Sequence, residues 1–142
     1  MFALMVGALL LTGCASVHMA SVEHDAQAKS FAVKSDKANI YLFRNESMGA
    51  AVKMDVVLDG KPVGQTVAKS YMKFEVKPGQ HTLISKAESD DVLNVNVDAG
   101  KNYFVWQEVK MGMLYARSLL HLSDEQTGKA GVLECKLIEG PQ

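Results

Sequence analysis

The 142-residue chain has only two cysteines, three prolines and one tryptophan, and it has almost no excess charge, with fifteen Lys and Arg against sixteen Asp and Glu. A small secreted scaffold held by disulfides needs several cysteine pairs, so that class is excluded. A net charge of −1 gives no electrostatic footprint for nucleic acid, and no nucleic-acid partner is expected. No apolar run approaches the roughly 20 residues a helix needs to cross a hydrocarbon core. The chain has no Gly-x-Ser-x-Gly elbow, no phosphate loop ending in Gly-Lys-Ser/Thr and no Cys-x-x-Cys pair. Its four histidines, His18, His24, His81 and His121, are scattered, whereas metal ligands come in recognisable clusters. Met54 and Met72 fall on inward strand faces, where filling the core accounts for them better than copper(I) does. No catalytic residue, metal site or cofactor is expected, so the chain reads as a non-enzyme.

What the chain does have is concentrated at its front. The apolar run from Phe2 to Leu11 has the length of a signal-peptide core, about 7–15 residues. It ends in Leu11-Thr12-Gly13-Cys14. Small residues there can be cleaved as extended chain, and a thiolate is a good nucleophile for accepting a diacylglyceryl group. One acyl chain holds a protein only marginally, but two or three make a lasting anchor. The four residues resemble the bacterial lipobox. The resemblance implies a signal peptide over 1–13, lipidation of Cys14 (a palmitate-type modification) and the lipid bilayer as a partner through that acylated cysteine. Ala15 stands where lipoproteins retained in the inner membrane carry Asp, which implies the periplasmic face of the outer membrane. One feature departs from the pattern: no Lys or Arg lies between Met1 and Cys14, although signal peptides begin with positive charge, so the natural start is expected upstream of Met1. With Cys14 acylated, Cys135 has no partner. It sits in the apolar stretch from Val132 to Ile138 and is expected to be a buried thiol.

From residue 14 to 37 the chain is polar and is expected to be a tether, with two helical turns over Ser21–Lys29 capped by Ser21. From 38 to 142 it reads as one β domain. Asn39–Arg44 is apolar on both faces, as an interior strand is. Val52–Leu58 alternates, and Asp59-Gly60 then signals a tight hairpin into Pro62–Thr66. Tyr71–Val76 and His81–Lys86 flank a Lys77-Pro78-Gly79-Gln80 turn. Leu93–Val97, Asn102–Val109 and Arg117–Leu122 complete the strands. Ser123-Asp124-Glu125-Gln126 reads as a capping box that opens a helix over 124–135, although Gly128 and Gly131 each cost that helix about 1 kcal/mol relative to Ala. Seven or eight short strands with regular turn signals argue for an antiparallel β-sandwich with one short C-terminal helix.

Two likenesses accompany this reading. Asp59–Thr66 followed by Lys77–Thr82 resembles the PEGA-type β-sandwich module, a surface scaffold without catalysis, over about residues 52–105. Tyr41–Glu46, Trp106–Gly112 and Gly131–Leu137 resemble a bacterial lipoprotein family, domain of unknown function 2846, across most of the chain after Cys14. That likeness implies an envelope lipoprotein and no assigned activity.

Three groups of residues are candidates for a role beyond packing. Arg44 and Glu108 lie in apolar strands. They form either a half-buried ion pair that fixes register, or two side chains that reach solvent at strand ends, which is the commoner fate of charged groups. Met111, Met113, Leu114 and Tyr115 make an apolar loop that either touches a partner, such as another envelope protein, or a membrane surface, or folds under the sandwich and closes one end of the core. Tyr103, Trp106 and Tyr115 could line a pocket for a small apolar or glycan ligand. The reading that follows is a membrane-anchored periplasmic lipoprotein acting as a non-enzymatic binding or structural module, with a ligand carrier or sensor as the alternative.

Overall fold

A computed structural model describes residues 17–47, 52–111 and 116–140. The larger sheet is built around β1 (Ala38–Arg44), all seven residues of which are buried. A strand that is apolar on both sides must be covered on both sides, and two different layers do this. In chain order the other elements are α1 (Val22–Ala28), β2 (Met54–Leu58), β3 (Lys61–Thr66), β4 (Ser70–Val76), β5 (Gly79–Lys86), β6 (Asp91–Val97), β7 (Asn102–Met111), β8 (Ala116–Ser123), α2 (Glu125–Leu133) and β9 (Lys136–Leu137). They form a five-stranded sheet of order β8-β7-β1-β4-β9 and a four-stranded sheet of order β3-β2-β5-β6.

The inner faces of the two sheets meet in one cluster. Ile40, Leu42, Met72, Phe74 and Val105 come from the larger sheet, and Val56, Leu83 and Val95 from the smaller. Each such side chain contributes about 1.5–3 kcal/mol when fully withdrawn from water. The outer face of the larger sheet carries Tyr41, Phe43, Tyr71 and Phe104. It is covered by Ala28 of α1 and by Val132 and Cys135 at the end of α2. Tyr41 and Phe104 stack there at 5.2 Å.

The fold is mainly β, as expected, but the larger sheet is mixed rather than antiparallel. β1 pairs in parallel with β7, and β4 in parallel with β9. Alternation in a strand tells which face is buried and nothing about the direction of its neighbour. Among the described residues there are nine strands and two helices. The extra strand, β9, has only two residues, too few for a period to register. The hairpin at Asp59-Gly60 forms with both residues at positive φ, 51° and 80°, the backbone that a two-residue turn between twisted strands requires. β3 is an edge strand, which is where Pro62 is tolerated.

The stretch expected to act as a tether packs onto the domain from Val17 onward. Val17 contacts the inner core, the Ala20 amide donates to the Leu137 carbonyl, and the Glu139 amide donates to the His18 carbonyl. Met19 and Ile138 form an antiparallel bridge, so these residues extend the free edge of β9. Ser21 caps α1 as expected, accepting from the His24 amide. Tyr71 donates to Asp25 at 2.6 Å, and the Lys29 ammonium lies 3.0 Å from the other carboxylate oxygen. Burial pushes the Asp25 carboxyl up, but the bonds from Tyr71 and Lys29 outweigh it and hold the group below its usual value. A polar composition concealed these contacts, because their partners lie far along the chain.

α2 starts one residue later than its capping box suggested. Asp124, not Ser123, is the cap, accepting from the Thr127 amide. Gly128 and Gly131, which weaken the helix locally, are the points where it touches the sheet. A Cβ on Gly128 would lie 2.2 Å from Phe104 Cβ, and one on Gly131 would lie 2.3 Å from Phe43 Cε2. Among the described residues no helix is long and apolar enough to cross a membrane.

Candidate functional site

Where α2 leaves the outer face of β7 and β8 a cleft opens. Its volume is about 460 Å³, and its lining includes Phe43, Asn45, Trp106, His121, Leu122 and Thr127. Strand register builds it. Trp106 stands directly across from His121 in the β7–β8 pairing, and both side chains point outward. The two rings stack at 5.1 Å with 30° between their planes. His121 Nε2 lies 3.0 Å from Glu108, whose other oxygen is 3.3 Å from the Lys110 ammonium. One wall is the start of α2, where the amide and hydroxyl of Thr127 bond Asp124 at 2.8 and 2.9 Å. Those bonds hold the Asp124 carboxyl below its usual range. Asn45 is held by Glu134 at 3.1 Å. The Trp106 indole N–H is buried and has no acceptor among the described residues. An aromatic floor with amide, imidazole, hydroxyl and carboxylate groups at the rim can take a small molecule that has one apolar face and several hydroxyls.

A second feature lies inside. A chain of buried polar side chains runs between the two sheets. Thr66 donates to Gln107 at 2.5 Å, Gln107 donates to Ser85 at 2.6 Å, and Ser85 meets Ser118 at 2.5 Å. The wholly buried Arg44 donates to the carbonyls of Val52 at 2.7 Å and Thr66 at 3.2 Å. Burial holds its guanidinium below the usual value, and Glu46 partly offsets this. The chain joins five strands from both sheets, so it specifies how the two sheets are seated on each other.

The sequence-derived candidates fare differently. Arg44 and Glu108 do not pair. They sit on opposite faces of the same sheet, Arg44 in line with Ile40 and Leu42, and Glu108 in line with Phe104 and Trp106. Arg44 does not reach solvent either, because the carbonyls it bonds take the place of water. Tyr103 does not share the Trp106 cleft. It lies on the inner face against the core, and its hydroxyl accepts from the Asp98 amide at 2.8 Å. Met111 is 60% exposed at the end of β7, while Met113, Leu114 and Tyr115 lie outside the described residues, as do the 1–13 segment and Cys14. Cys135 is a free buried thiol whose burial pushes it up to about 12. Among the described residues no group of His, Cys, Asp and Glu could hold a metal ion.

The sequence reading missed the polar chain, although a signal was available. Gln107 falls between Val105 and Val109 on an otherwise apolar face, and Arg44 follows Ile40 and Leu42 at the same period. The reading also missed His81, whose ring bridges the Asp59 carboxylate and the Lys77 carbonyl, both at 2.6 Å. Burial lowers its pKa, but the bonds to Asp59 and Lys77 outweigh that and raise it above the ordinary value.

Compared with known proteins, residues 34–118 match a family described as "Protein of unknown function (DUF2846)". The matched stretch contains all five residues of the buried polar chain, while His121, Asp124 and Thr127 of the cleft lie beyond it. A Haemophilus influenzae protein described as "Uncharacterized protein" is 34% identical over 127 residues, which span 88% of this chain and 76% of that protein. No solved structure matches the chain.

Proposed function

The chain belongs to the DUF2846 family of proteins of unknown function, and from that premise we propose that it is a lipoprotein of the bacterial cell envelope. In this reading Cys14 carries the lipid, the protein sits on the periplasmic face of the outer membrane, and the folded domain is a non-enzymatic binding module of β-sandwich type. Two sheets with one shared core support the sandwich, and the PEGA-like stretch over about 52–105 spans β2 to the start of β7. The observation that carries the anchor is the sequence Leu11-Thr12-Gly13-Cys14, followed almost at once by folded structure. Metabolic labelling with an alkynyl fatty acid tests it. The wild-type chain takes the label and Cys14→Ala does not; equal labelling of the two would end the reading.

Among the described groups with shifted pKa values Asp124 alone borders the cleft, where it serves as the cap of α2, which favours binding over catalysis. Asp25 and Tyr71 hold α1, Asp59 and His81 hold the β2–β3 turn, Asp124 caps α2, and Cys135 fills the core. The carrier or sensor reading gains one specific observation, the cleft beside Trp106, and it proceeds without Tyr103. Because Trp106 is the only tryptophan, its emission reports the cleft directly. Soluble glycan fragments or short-chain lipids that bind there shift the emission in a saturable way, and Leu122→Asp abolishes the shift. A saturable shift that survives Leu122→Asp places the ligand elsewhere. In-cell crosslinking from Met111, followed by mass spectrometry, tests for an envelope protein partner at the β7–β8 end.

A further inference from the structure

We propose, as an extension that rests on the lipidation of Cys14, that the folded domain lies directly against the bilayer, with the sheet edge formed by residues 17–20 turned to the lipid. Val17 is already packed on the core, and the next three residues are bonded to the strand beside them. Only three residue steps separate Val17 from Cys14, and fully extended chain covers no more than about 11 Å in that distance. A domain some tens of ångströms across cannot rise off a surface on so short a leash. The edge it must present also suits the contact. On that edge Met19 is 37% exposed, and Val22, at the start of α1 just beyond it, is 82% exposed; they follow Cys14 by five and eight residues. Exposed apolar side chains next to a lipid anchor add to its hold, because stable attachment takes more than one signal.

The same geometry keeps the cleft clear. From the 17–20 edge the order is β9, β4, β1, then β7, four strand spacings, or about 19 Å. The cleft beside Trp106 lies at that opposite edge and opens to the compartment rather than to the lipid. The domain therefore works within its own diameter of the membrane surface.

The test uses the mature lipoprotein in vesicles of phosphatidylethanolamine and phosphatidylglycerol that carry a nitroxide headgroup lipid. A fluorophore is placed at Val22→Cys or, as the distant control, at Val92→Cys, which is 53% exposed beside β8. The buried Cys135 does not compete for the label. The Val22 label should lose the larger part of its emission while the Val92 label keeps most of its own. A spacer of about 12 Gly and Ser residues between Ser16 and Val17, with a mean reach of about 20 Å, should remove the difference. Equal quenching at both positions, with the acyl mass present on Cys14, would overturn the inference and leave the anchor reading standing. A missing acyl mass would instead remove the anchor reading, and this inference with it.

Discussion

Replacing glycine by alanine inside a helix ordinarily stabilises it by about 1 kcal/mol, and Gly128→Ala should do the opposite here. The added methyl would sit 2.2 Å from Phe104 Cβ and 2.3 Å from its Cγ, whereas carbon atoms rest about 3.5–4.0 Å apart. More than an ångström must be found. Phe104 Cβ is fixed to the β7 backbone, so rotation of the ring cannot provide it, and α2 itself must lift from the sheet. Overpacking of this kind costs about 1–3 kcal/mol, more where the obstacle cannot move, so after the helical gain a net loss of about 2 kcal/mol is expected. For a domain of this size that lowers Tm by about 5–10 °C. Gly131→Ala meets the far edge of the Phe43 ring, 2.3 Å from Cε2, which can swing aside, so its loss should be smaller. Because Phe43 also lines the cleft, Gly131→Ala should shift Trp106 emission as well. Thermal melts followed by far-UV circular dichroism decide the matter. A Gly128→Ala protein as stable as wild type, or more stable, would refute the close approach of α2.

Three further outcomes follow from the same contacts. Arg44→Ala should destabilise by about 3 kcal/mol in urea titrations, from the cavity and from carbonyls left without a donor in the core; a change under 1 kcal/mol would mean that water replaces the guanidinium freely. Tyr71→Phe should cost about 1–3 kcal/mol, since it removes a hydrogen bond to the charged Asp25, and hydrogen exchange should accelerate in α1 ahead of the strands; uniform acceleration would count against it. His81 has its pKa raised, so its contribution is full below its unfolded value and fades as pH rises through the folded one, while the lowered pKa of Asp59 means its share is lost only in acid. His81→Gln should therefore lower Tm more near pH ~5.5 than near pH ~8.5, and the reverse order would sink the pairing.

Much of this architecture can be read along the chain. The all-apolar run of β1 announces an interior strand, and the alternation in β4 and β6 names their buried faces. Asp59-Gly60 names its own turn, because only residues tolerant of positive φ fit there. What stays hidden depends on partners distant in sequence. Nothing local says that β1 lies parallel to β7, that a two-residue β9 docks beside β4, or that the polar segment after residue 17 finds Tyr71 and Leu137 to bind. The cleft was half visible. Aromatic content points to Trp106 as a ligand-facing ring, but the odd spacing between Tyr103 and Trp106 puts the two on opposite faces. Glycines three apart in α2 counted as a flaw in a helix, when in a helix lying on aromatic rings the same spacing marks the line of contact.

The polar chain through the interior also bears on how the molecule assembles. Its members come from β1, β3, β5, β7 and β8, so no hairpin that forms early can satisfy its own groups. Arg44 finds its carbonyls, and Gln107 its hydroxyls, only when strands from both sheets have met, and Ser85 waits for Ser118 until β8, late in the order of synthesis, arrives. Half-finished intermediates are thereby penalised, and the folding transition is expected to be all-or-none, with fragments that end before residue 118 failing to accumulate in native form.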